Sequence, residues 1–168
     1  MEGETRAVSA QPSVERTLVL LKPDAVGRGV VGEILSRFER KGLEIVALKM
    51  LRLDRALAEE QYAEHKGKPF YEGLVRFMTS GPIVAAVIEG RGAISVVRKL
   101  IGPTSGQDAP AGTIRGDYGV SDRFNLVHAS DSPESARREI ARFFREDEFV
   151  RRDAERQWIY DRSGGPPL

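Results

Sequence analysis

The chain has 168 residues, 40% of them hydrophobic and 30% charged, and this balance predicts one globular domain with its own core. Its formal net charge of +1 excludes a broad polycationic face, so nucleic acid is not the expected main partner. The absence of cysteine excludes disulfides, thiolate catalysis and cysteine-ligated zinc, and two histidines are too few for a histidine-rich metal site.

The two ends of the chain have the composition of flexible tails. Residues 1–14 are polar and aperiodic, and the run RSGGPPL predicts a second tail over 161–168. Between them no linker or repeat interrupts the sequence, so one domain is predicted over 15–160. The N-terminus lacks the apolar core of a signal peptide, and no apolar run approaches the ~18–20 residues of a membrane span. We therefore expect a cytoplasmic protein without a membrane segment.

The first half of the domain alternates strands and helices. The apolar run TLVLL predicts a buried strand at 17–21, and the proline and glycines of KPDAVGRG predict a loop after it. In VVGEILSRFERKG the apolar residues recur at helical spacing, and Gly42 can end that helix. A second strand is predicted at 43–51, followed by a short polar helix capped by Asp54 and a further helix that ends before Gly81.

The second half contains two more strands and a long irregular segment. IVAAVIE predicts a buried strand at 83–89, and AISVVRKLIG predicts a helix. The next segment, 103–124, has about 22 residues rich in Gly, Pro, Asp and Ser, and loops of such length are usually functional. NLVH predicts a last short strand that ends at His128. Ser132 is a good N-cap because Pro133 can take the first helical position. The helix that follows has an apolar stripe, formed by Ala136, Ile140, Phe143 and Phe144.

The order of these elements, β-α-β-(α-α)-β-α-β-α, predicts an α/β (α+β) sandwich in which helices cover a sheet. A ferredoxin-like four-stranded antiparallel sheet is the standard arrangement that we expect. The pattern alone leaves the strand order open.

One glycine pattern invites a dinucleotide-binding interpretation. Gly27, Gly29 and Gly32 form G-x-G-x-x-G after a strand and before a helix. The acidic residue at the expected distance, Asp54, lies beyond the second strand, and the chain is short for two mononucleotide-binding halves. We therefore favour a role of these glycines in the turn and in close helix packing. A Walker-type phosphate loop is absent from the sequence.

The two histidines differ in context. His65 ends a polar helix beside two lysines, which favours a solvated residue at the C-terminal end of the helix dipole. His128 ends a strand just before a capped helix, and the N-terminal tilt of helical side chains can aim Glu139 back toward it. A carboxylate that holds one imidazole nitrogen leaves the other free as acceptor or nucleophile. The local pattern leaves His128 open between a reactive and a structural histidine.

Spaced basic residues and hydroxyls suggest a phosphate site. Lys22 ends the first strand, Arg98 lies on the helix before the long loop, and Arg115 lies within that loop, near Thr104 and Thr113. Guanidinium groups bind phosphate oxygens bidentately, so convergence of these residues on His128 would form a phosphate clamp. Taken singly, each is an ordinary surface charge.

Four blocks of the sequence together resemble the nucleoside diphosphate kinase family, from about Glu15 to Tyr160. They are ERTLVLLKPDAVGRGVVGEIL, SGPIVAAVIEG, GTIRGDYG and NLVHASDS, and the Asn-x-x-His-x-Ser-Asp-Ser signature is highly specific. The resemblance implies a ping-pong phosphotransferase that moves the γ-phosphate of a nucleoside triphosphate to a nucleoside diphosphate. It also implies a phosphohistidine at Nδ1 of His128.

The resemblance implies a role for nine further residues. Ser130 and Glu139 would support the histidine ring, and Tyr62 would pack beside it. Lys22 would lie near the transferred phosphate and the ribose hydroxyls. The remaining residues would contact the nucleotide: Phe70 by stacking on the base, Arg98, Thr104 and Arg115 at the phosphates, and Asn125 at the sugar hydroxyl. Because every base has a π-face, stacking on Phe70 predicts low base selectivity.

The resemblance also implies Mg²⁺, carried mainly by the nucleotide phosphates rather than by a protein metal site. It implies a homo-oligomer, for which we expect a hexamer. Three departures from the family pattern stand out. Ala129 replaces a common glycine, Phe124 replaces a common arginine, and the long loop reads PTSGQDAPAG where Asn-Pro-Ala-Asp is frequent.

Two rival functions remain open at this point. A non-enzymatic nucleotide-binding module could keep the fold, but the nucleophile and the phosphate residues are all present together. A ferredoxin-like nucleic-acid-binding protein could stack bases on exposed aromatics, but an RNP-type aromatic signature is absent from the sequence.

Overall fold

The computed structural model describes residues 13–150 and residue 159, and its strands lie close to their predicted positions. They are β1 (Val14–Leu21), β2 (Glu44–Arg52), β3 (Pro82–Arg91) and β4 (Val127–Ala129). Neighbouring strands are antiparallel, in the order β2-β3-β1-β4. The expected ferredoxin-like sheet is therefore confirmed, and the structure supplies the strand order that the pattern left open.

The two predicted tails lie outside the described residues, apart from Ser13 and Val14 of the N-terminal tail. Val14, which the composition assigns to the N-terminal tail, is the first residue of β1 and pairs with Arg91. That boundary was wrong because the outer part of β1 is exposed or half-buried, so it lacks the apolar run that marks the rest of the strand.

Seven helices cover the sheet within the described residues. Their bounds are α1 (Pro23–Gly27), α2 (Val31–Arg40), α3 (Arg55–Gln61), α4 (Tyr71–Thr79), α5 (Ala93–Ile101), α6 (Ile114–Tyr118) and α7 (Pro133–Phe143), with single 3₁₀ turns at Ala63–His65 and Glu146–Glu148. Across 13–150, no helix is long and apolar enough to cross a membrane.

Two of these helices lie where the sequence predicted loop. α1 begins directly at a proline, which fits the first helical position, and it lasts barely more than one turn. α6 lies inside the long irregular segment and is capped by Thr113, whose hydroxyl oxygen accepts a 3.0 Å hydrogen bond from the Gly116 amide. Both helices have five residues, which is too short for a periodic apolar pattern to reveal them.

The central strand β1 separates two apolar layers. Val19 and Leu21 pack into a cluster with α2, α5 and α6, whereas Leu18 and Leu20 pack into a cluster with α3, α4 and α7. All four side chains are fully buried. A strand buried on both faces has to be apolar at consecutive positions, which explains the TLVLL run.

The last strand is shorter than NLVH predicts, and His128 is its central residue rather than its end. Leu126 has a φ of 73°, in the left-handed region, and extended pairing cannot continue through it. His128 pairs with Leu20, so its side chain projects to the face covered by α3, α4 and α7. Ala129 pairs with Val19 as ordinary strand, and its methyl group therefore carries no backbone strain.

The glycines of the G-x-G-x-x-G run do not serve close packing. A Cβ placed at Gly27, Gly29 or Gly32 would meet no atom within 4 Å, so the predicted role in helix packing was wrong. Gly29 has a φ of 69°, and this positive φ supports the predicted role in the turn between α1 and α2.

The N-terminus of α7 yields a first testable prediction. As predicted, Ser132 is the N-cap: its hydroxyl accepts from the Ser135 amide at 3.1 Å, while the Ser135 hydroxyl accepts from the Ser132 amide at 3.0 Å. Replacing Ser132 with Ala leaves the Ser135 amide without its acceptor, and we expect a loss of about 1 kcal/mol in the free energy of unfolding, measured by urea denaturation. Ser36→Ala, in the interior of α2, is the control and should not destabilise, because alanine is the better helix former. Equal stability of both variants would contradict the capping role.

Candidate active site

The predicted site residues converge on one cavity of about 800 Å³. It opens where β1 and β4 end and is walled by α3, α4, α5, α7 and the 103–124 segment. Nine of the ten predicted residues line it: Lys22, Tyr62, Phe70, Arg98, Thr104, Arg115, Asn125, His128 and Glu139. The tenth, Ser130, hydrogen bonds Glu139, which lines the cavity. Thr113, which the sequence placed near the basic residues, caps α6 instead.

His128 is held on one ring nitrogen. Its Nε2 lies 3.1 Å from Oε2 of Glu139, and the hydroxyl of Ser130 donates to the same oxygen at 2.6 Å. Burial opposes ionisation of Glu139, but hydrogen bonds and charge from His128, Ser130 and Gln61 hold its pKa below the ordinary value. An ionised carboxylate accepts the proton of Nε2, so the neutral ring has Nδ1 as its free acceptor.

Tyr62 packs against this histidine with an unsatisfied hydroxyl. The two rings meet edge-on, with centroids 5.9 Å apart, and Tyr62 is 4% exposed. Burial, followed by the charge of Glu139, raises the pKa of the phenol above its ordinary value, so the hydroxyl keeps its proton. Within the described part of the chain this buried hydroxyl has no hydrogen-bond partner. A buried donor without a partner is costly, and a ligand oxygen would satisfy it.

Lys22 and Asn125 form a buried polar pair on the opposite wall. Nζ of Lys22 donates to Oδ1 of Asn125 at 2.6 Å, and Nδ2 of Asn125 donates to the carbonyls of Thr104 (2.8 Å) and Asp122 (2.9 Å). Burial, and then the positive charge of Arg115, lower the pKa of Lys22 to about 8 despite the opposing charge of Asp24. The free site therefore contains a desolvated cation at its floor.

Arg115 has a structural role that its sequence position did not reveal. Its guanidinium donates to three backbone carbonyls, those of Asn125 (3.2 Å), Gly102 (3.1 Å) and Val127 (2.6 Å). Burial, and then the charge of Arg98, lower its pKa to about 10. A guanidinium has five N–H donors, so two remain for a ligand after these three bonds.

The turn before β4 is strained and well supported. The amide of Val127 donates to the carbonyl of Asn125 at 2.8 Å across Leu126, whose φ is 73°, and this is the hydrogen bond of a γ-turn. The Leu126 amide donates to Oδ2 of Asp24 at 3.1 Å, and its carbonyl accepts from the Lys22 amide at 2.8 Å. Backbone strain of this kind persists only where neighbouring contacts over-determine it, and it clusters at functional sites.

An aromatic group marks the outer rim of the cavity. Phe70 is 46% exposed, and the ring of His65 lies 5.3 Å from it, while Nζ of Lys68 lies 5.8 Å from the Phe70 centroid. Lys68 also lies within 3.0 Å of Nδ1 of His65. His65 therefore belongs to the cavity wall, and the prediction of a merely solvated residue was incomplete.

Other polar lining residues were not nominated as site residues from the sequence. They include Gln61, Asp122, Arg123, Asp131, Arg138 and Arg142, of which only Asp131 lies in the Asn-x-x-His-x-Ser-Asp-Ser signature. Phe124, which replaces a common arginine of the family pattern, packs edge-on against Phe77 of α4 at 5.0 Å. This contact joins the end of the 103–124 segment to the helix that follows Phe70.

Comparisons with known proteins point to one family. The family model described as nucleoside diphosphate kinase matches residues 15–149. The chain is 65% identical over 138 residues to a nucleoside diphosphate kinase of Staphylothermus marinus, covering 82% of this chain and 98% of that relative. A relative of the same name from Methanocaldococcus jannaschii is 60% identical over 134 residues, covering 80% and 96%.

The fold is similar to that of a halophilic nucleoside diphosphate kinase from Halobacterium salinarum, solved in complex with CDP. The TM-score is 0.86 at 51% identity, covering 89% of this chain and 100% of that structure.

The buried lysine yields a prediction about stability. The pKa of Lys22 falls from 10.5 to about 8 on folding, so between these values the unfolded chain binds more protons and stability rises with pH. Below about pH 8 the folded protein bears the full cost of the buried charge. Lys22→Met removes that cost. Below about pH 8 we expect its free energy of unfolding to exceed that of the wild type by roughly 3 kcal/mol, reduced by the loss of the hydrogen bond to Asn125. The advantage should shrink toward about pH 10.5.

Urea denaturation of both proteins across this pH range measures the effect, with Lys99→Met as the exposed control. A difference between wild type and Lys22→Met that does not vary with pH would contradict the lowered pKa of Lys22.

Proposed function

Because the chain belongs to the nucleoside diphosphate kinase family, we propose that its phosphoryl carrier is His128. The family consists of phosphotransferases that work by a ping-pong mechanism through a phosphohistidine. The observation that carries the proposal is the contact of Nε2 with Glu139, which leaves Nδ1 of the ring as an acceptor with no protein donor among the described hydrogen bonds.

The first half-reaction follows from this arrangement. Nδ1 of His128 attacks the γ-phosphorus of a nucleoside triphosphate in line, the bond from phosphorus to the bridging oxygen breaks, and the nucleoside diphosphate leaves. The ring becomes cationic as the new N–P bond forms, and the Glu139 carboxylate stabilises that charge through the Nε2 proton. The second half-reaction reverses these steps with a different nucleoside diphosphate.

The phosphates require cations and donors more than covalent chemistry. Lys22 and the two remaining N–H groups of Arg115 lie in the cavity wall, and the unpaired hydroxyl of Tyr62 lies beside His128. We assign Arg98 and Thr104, which line the same cavity, to further phosphate contacts. The lowered pKa values of Lys22 and Arg115 support this assignment, because a polyanion would relieve the crowding of positive charge.

The nucleoside would lie between the rim and the floor of the cavity. Phe70 offers an exposed ring for stacking, and Asn125 with Lys22 offers polar groups for the sugar hydroxyls. Stacking on this ring depends little on the identity of the base, which supports broad base specificity.

Magnesium is the cofactor that this chemistry uses. The described residues contain no group of three or more His, Cys, Asp or Glu side chains that could hold a metal. Mg²⁺ needs only one or two protein carboxylates when phosphates supply its other ligands, so the cavity fits an ion that arrives with the nucleotide. Asp131 lines the cavity with a lowered pKa, caused chiefly by a hydrogen bond from Ser135, and would hold the ion. Bound there, Mg²⁺ neutralises phosphate charge.

We further propose that the protein acts as a homo-oligomer, a hexamer by family resemblance, in the cytoplasm, where its nucleotide substrates are made and consumed. The exposed side chains of Leu48 (52%) and Met50 (62%) on the edge strand β2 support a partner surface. A regulatory module without activity remains the rival proposal, and the convergence of His128, Lys22, Tyr62 and Glu139 argues against it.

Labelling with γ-³²P ATP tests the nucleophile directly. We expect acid-labile, base-stable label on the wild-type protein, and none on His128→Ala, because the phosphoramidate bond requires the ring nitrogen. His65→Ala removes the only other histidine and should keep the full end-point label. Full labelling of His128→Ala would overturn the proposal.

Steady-state kinetics with four nucleoside diphosphates test base selectivity. We expect kcat/KM values for ADP, GDP, CDP and UDP to agree within roughly tenfold, because stacking discriminates little. Phe70→Ala should lower kcat/KM for all four by a similar factor of roughly ten or more. A preference of several orders of magnitude for one base would contradict stacking as the main contact.

A further inference from the structure

Gln61 is a third polar group at the His128–Glu139 pair. It is the last residue of α3 and is only 5% exposed, although its side chain is polar. Its Nε2 lies 3.3 Å from Nε2 of His128, the ring nitrogen that contacts the Glu139 carboxylate at 3.1 Å. Buried amides are hydrogen-bonded at both ends, so the partner of the other end determines which atom faces the histidine.

Arg142 sets the orientation of the Gln61 amide. Nη1 of Arg142 donates to Oε1 of Gln61 at 2.8 Å, and Nε of the same guanidinium donates to Oε1 of Glu60 at 2.8 Å. A guanidinium can only donate, so the amide oxygen must face Arg142. The NH₂ group of Gln61 therefore faces His128 and Glu139.

A donor, the Gln61 NH₂ group, and an acceptor, the Glu139 carboxylate, then compete for Nε2 of His128. A hydrogen bond from Gln61 to Nε2 of His128 would require an unprotonated Nε2, whereas the bond to ionised Glu139 requires a protonated one. The charge-assisted bond is roughly twice as strong, so the proton stays on Nε2. The NH₂ group of Gln61 is then left with the carboxylate as its acceptor.

We propose that Gln61, oriented by Arg142, is a positioning residue that holds the Glu139 carboxylate against the Nε2 proton of His128. The carboxylate would then receive a hydrogen bond from Gln61 in addition to those from Ser130 and His128. This set selects the tautomer of His128 in which Nδ1 carries the lone pair. The inference rests on the proposed function, since it concerns how the same nucleophile is prepared.

The arrangement predicts what happens when Arg142 is lost. The Gln61 amide is then no longer held and can turn away from the carboxylate. Glu139 loses one donor and is positioned less firmly, so its contact with the Nε2 proton weakens and the other tautomer gains population. In that tautomer Nδ1 bears the proton and cannot attack phosphorus.

The test compares Arg142→Leu and Gln61→Leu with Arg137→Leu. Arg137 lies on the same helix α7 but is exposed, so its loss changes the net charge equally without touching Gln61. ¹⁵N NMR of imidazole-labelled protein reports the tautomer, and the spectrum is simple because the chain has two histidines. Pre-steady-state labelling with ATP and steady-state kinetics report the rate and KM.

We expect the wild type and Arg137→Leu to show His128 with the proton on Nε2. Arg142→Leu and Gln61→Leu should show a mixture of tautomers, with kcat lowered roughly tenfold and KM within about twofold of wild type. Arg142→Lys, which restores a cationic donor, should recover most of the rate. Arg142→Leu leaves Gln61 and its packing in place, so a loss of rate in that variant does not come from a cavity at Gln61.

An unchanged His128 tautomer and an unchanged kcat in both Leu variants would overturn the inference, as would an effect confined to KM. Those results would leave the proposed function intact, provided that wild-type protein still takes label on His128. Labelling of His128→Ala would instead overturn the proposed function.

Discussion

The site depends on the pairing of the three-residue strand β4 with the central strand β1. His128 pairs with Leu20, and the Lys22 amide continues the contact by donating to the Leu126 carbonyl. Because β1 is buried on both faces and paired on both edges, it cannot shift without disrupting both apolar clusters. The proposed nucleophile His128 and the buried lysine are therefore held on rigid elements, as a site that must position its reactants requires.

The two sides of His128 lie in opposite electrostatic environments. Around Nε2, the Glu139 carboxylate accepts from Ser130 and His128 and stays ionised despite its burial. Across the cavity, Lys22 and Arg115 are cations whose pKa values are lowered by burial and by neighbouring positive charge. The free protein thus holds unfavourable positive charge that a nucleotide polyphosphate would neutralise. Relief of this unfavourable charge would contribute part of the free energy of phosphate binding.

Much of this could be predicted from the sequence. Short-range patterns predicted the four strands, the Ser132 cap and the face of α7 that carries Glu139, because periodicity and capping act over a few residues. The family signature then nominated ten site residues, and the structure brings all of them to one cavity or its immediate support. The chemical types and their approximate locations along strands and helices were therefore encoded locally.

Only the tertiary structure decided which residues far apart in the sequence become partners. Arg142 meets Gln61 over 81 positions of sequence, and Lys22 meets Asn125 over 103, distances at which no local pattern operates. Three other features also arise from chain segments that meet only in the folded protein. They are the hydrogen bonds of Arg115 to three carbonyls, the place of His65 in the cavity wall and the γ-turn at Leu126. The sequence by itself determined which groups could do the chemistry. The pairing of β1 with β4 and the side-chain contacts of α7 decided which nitrogen of His128 is left as a free acceptor, because hydrogen-bond donors and acceptors act only at contact distance.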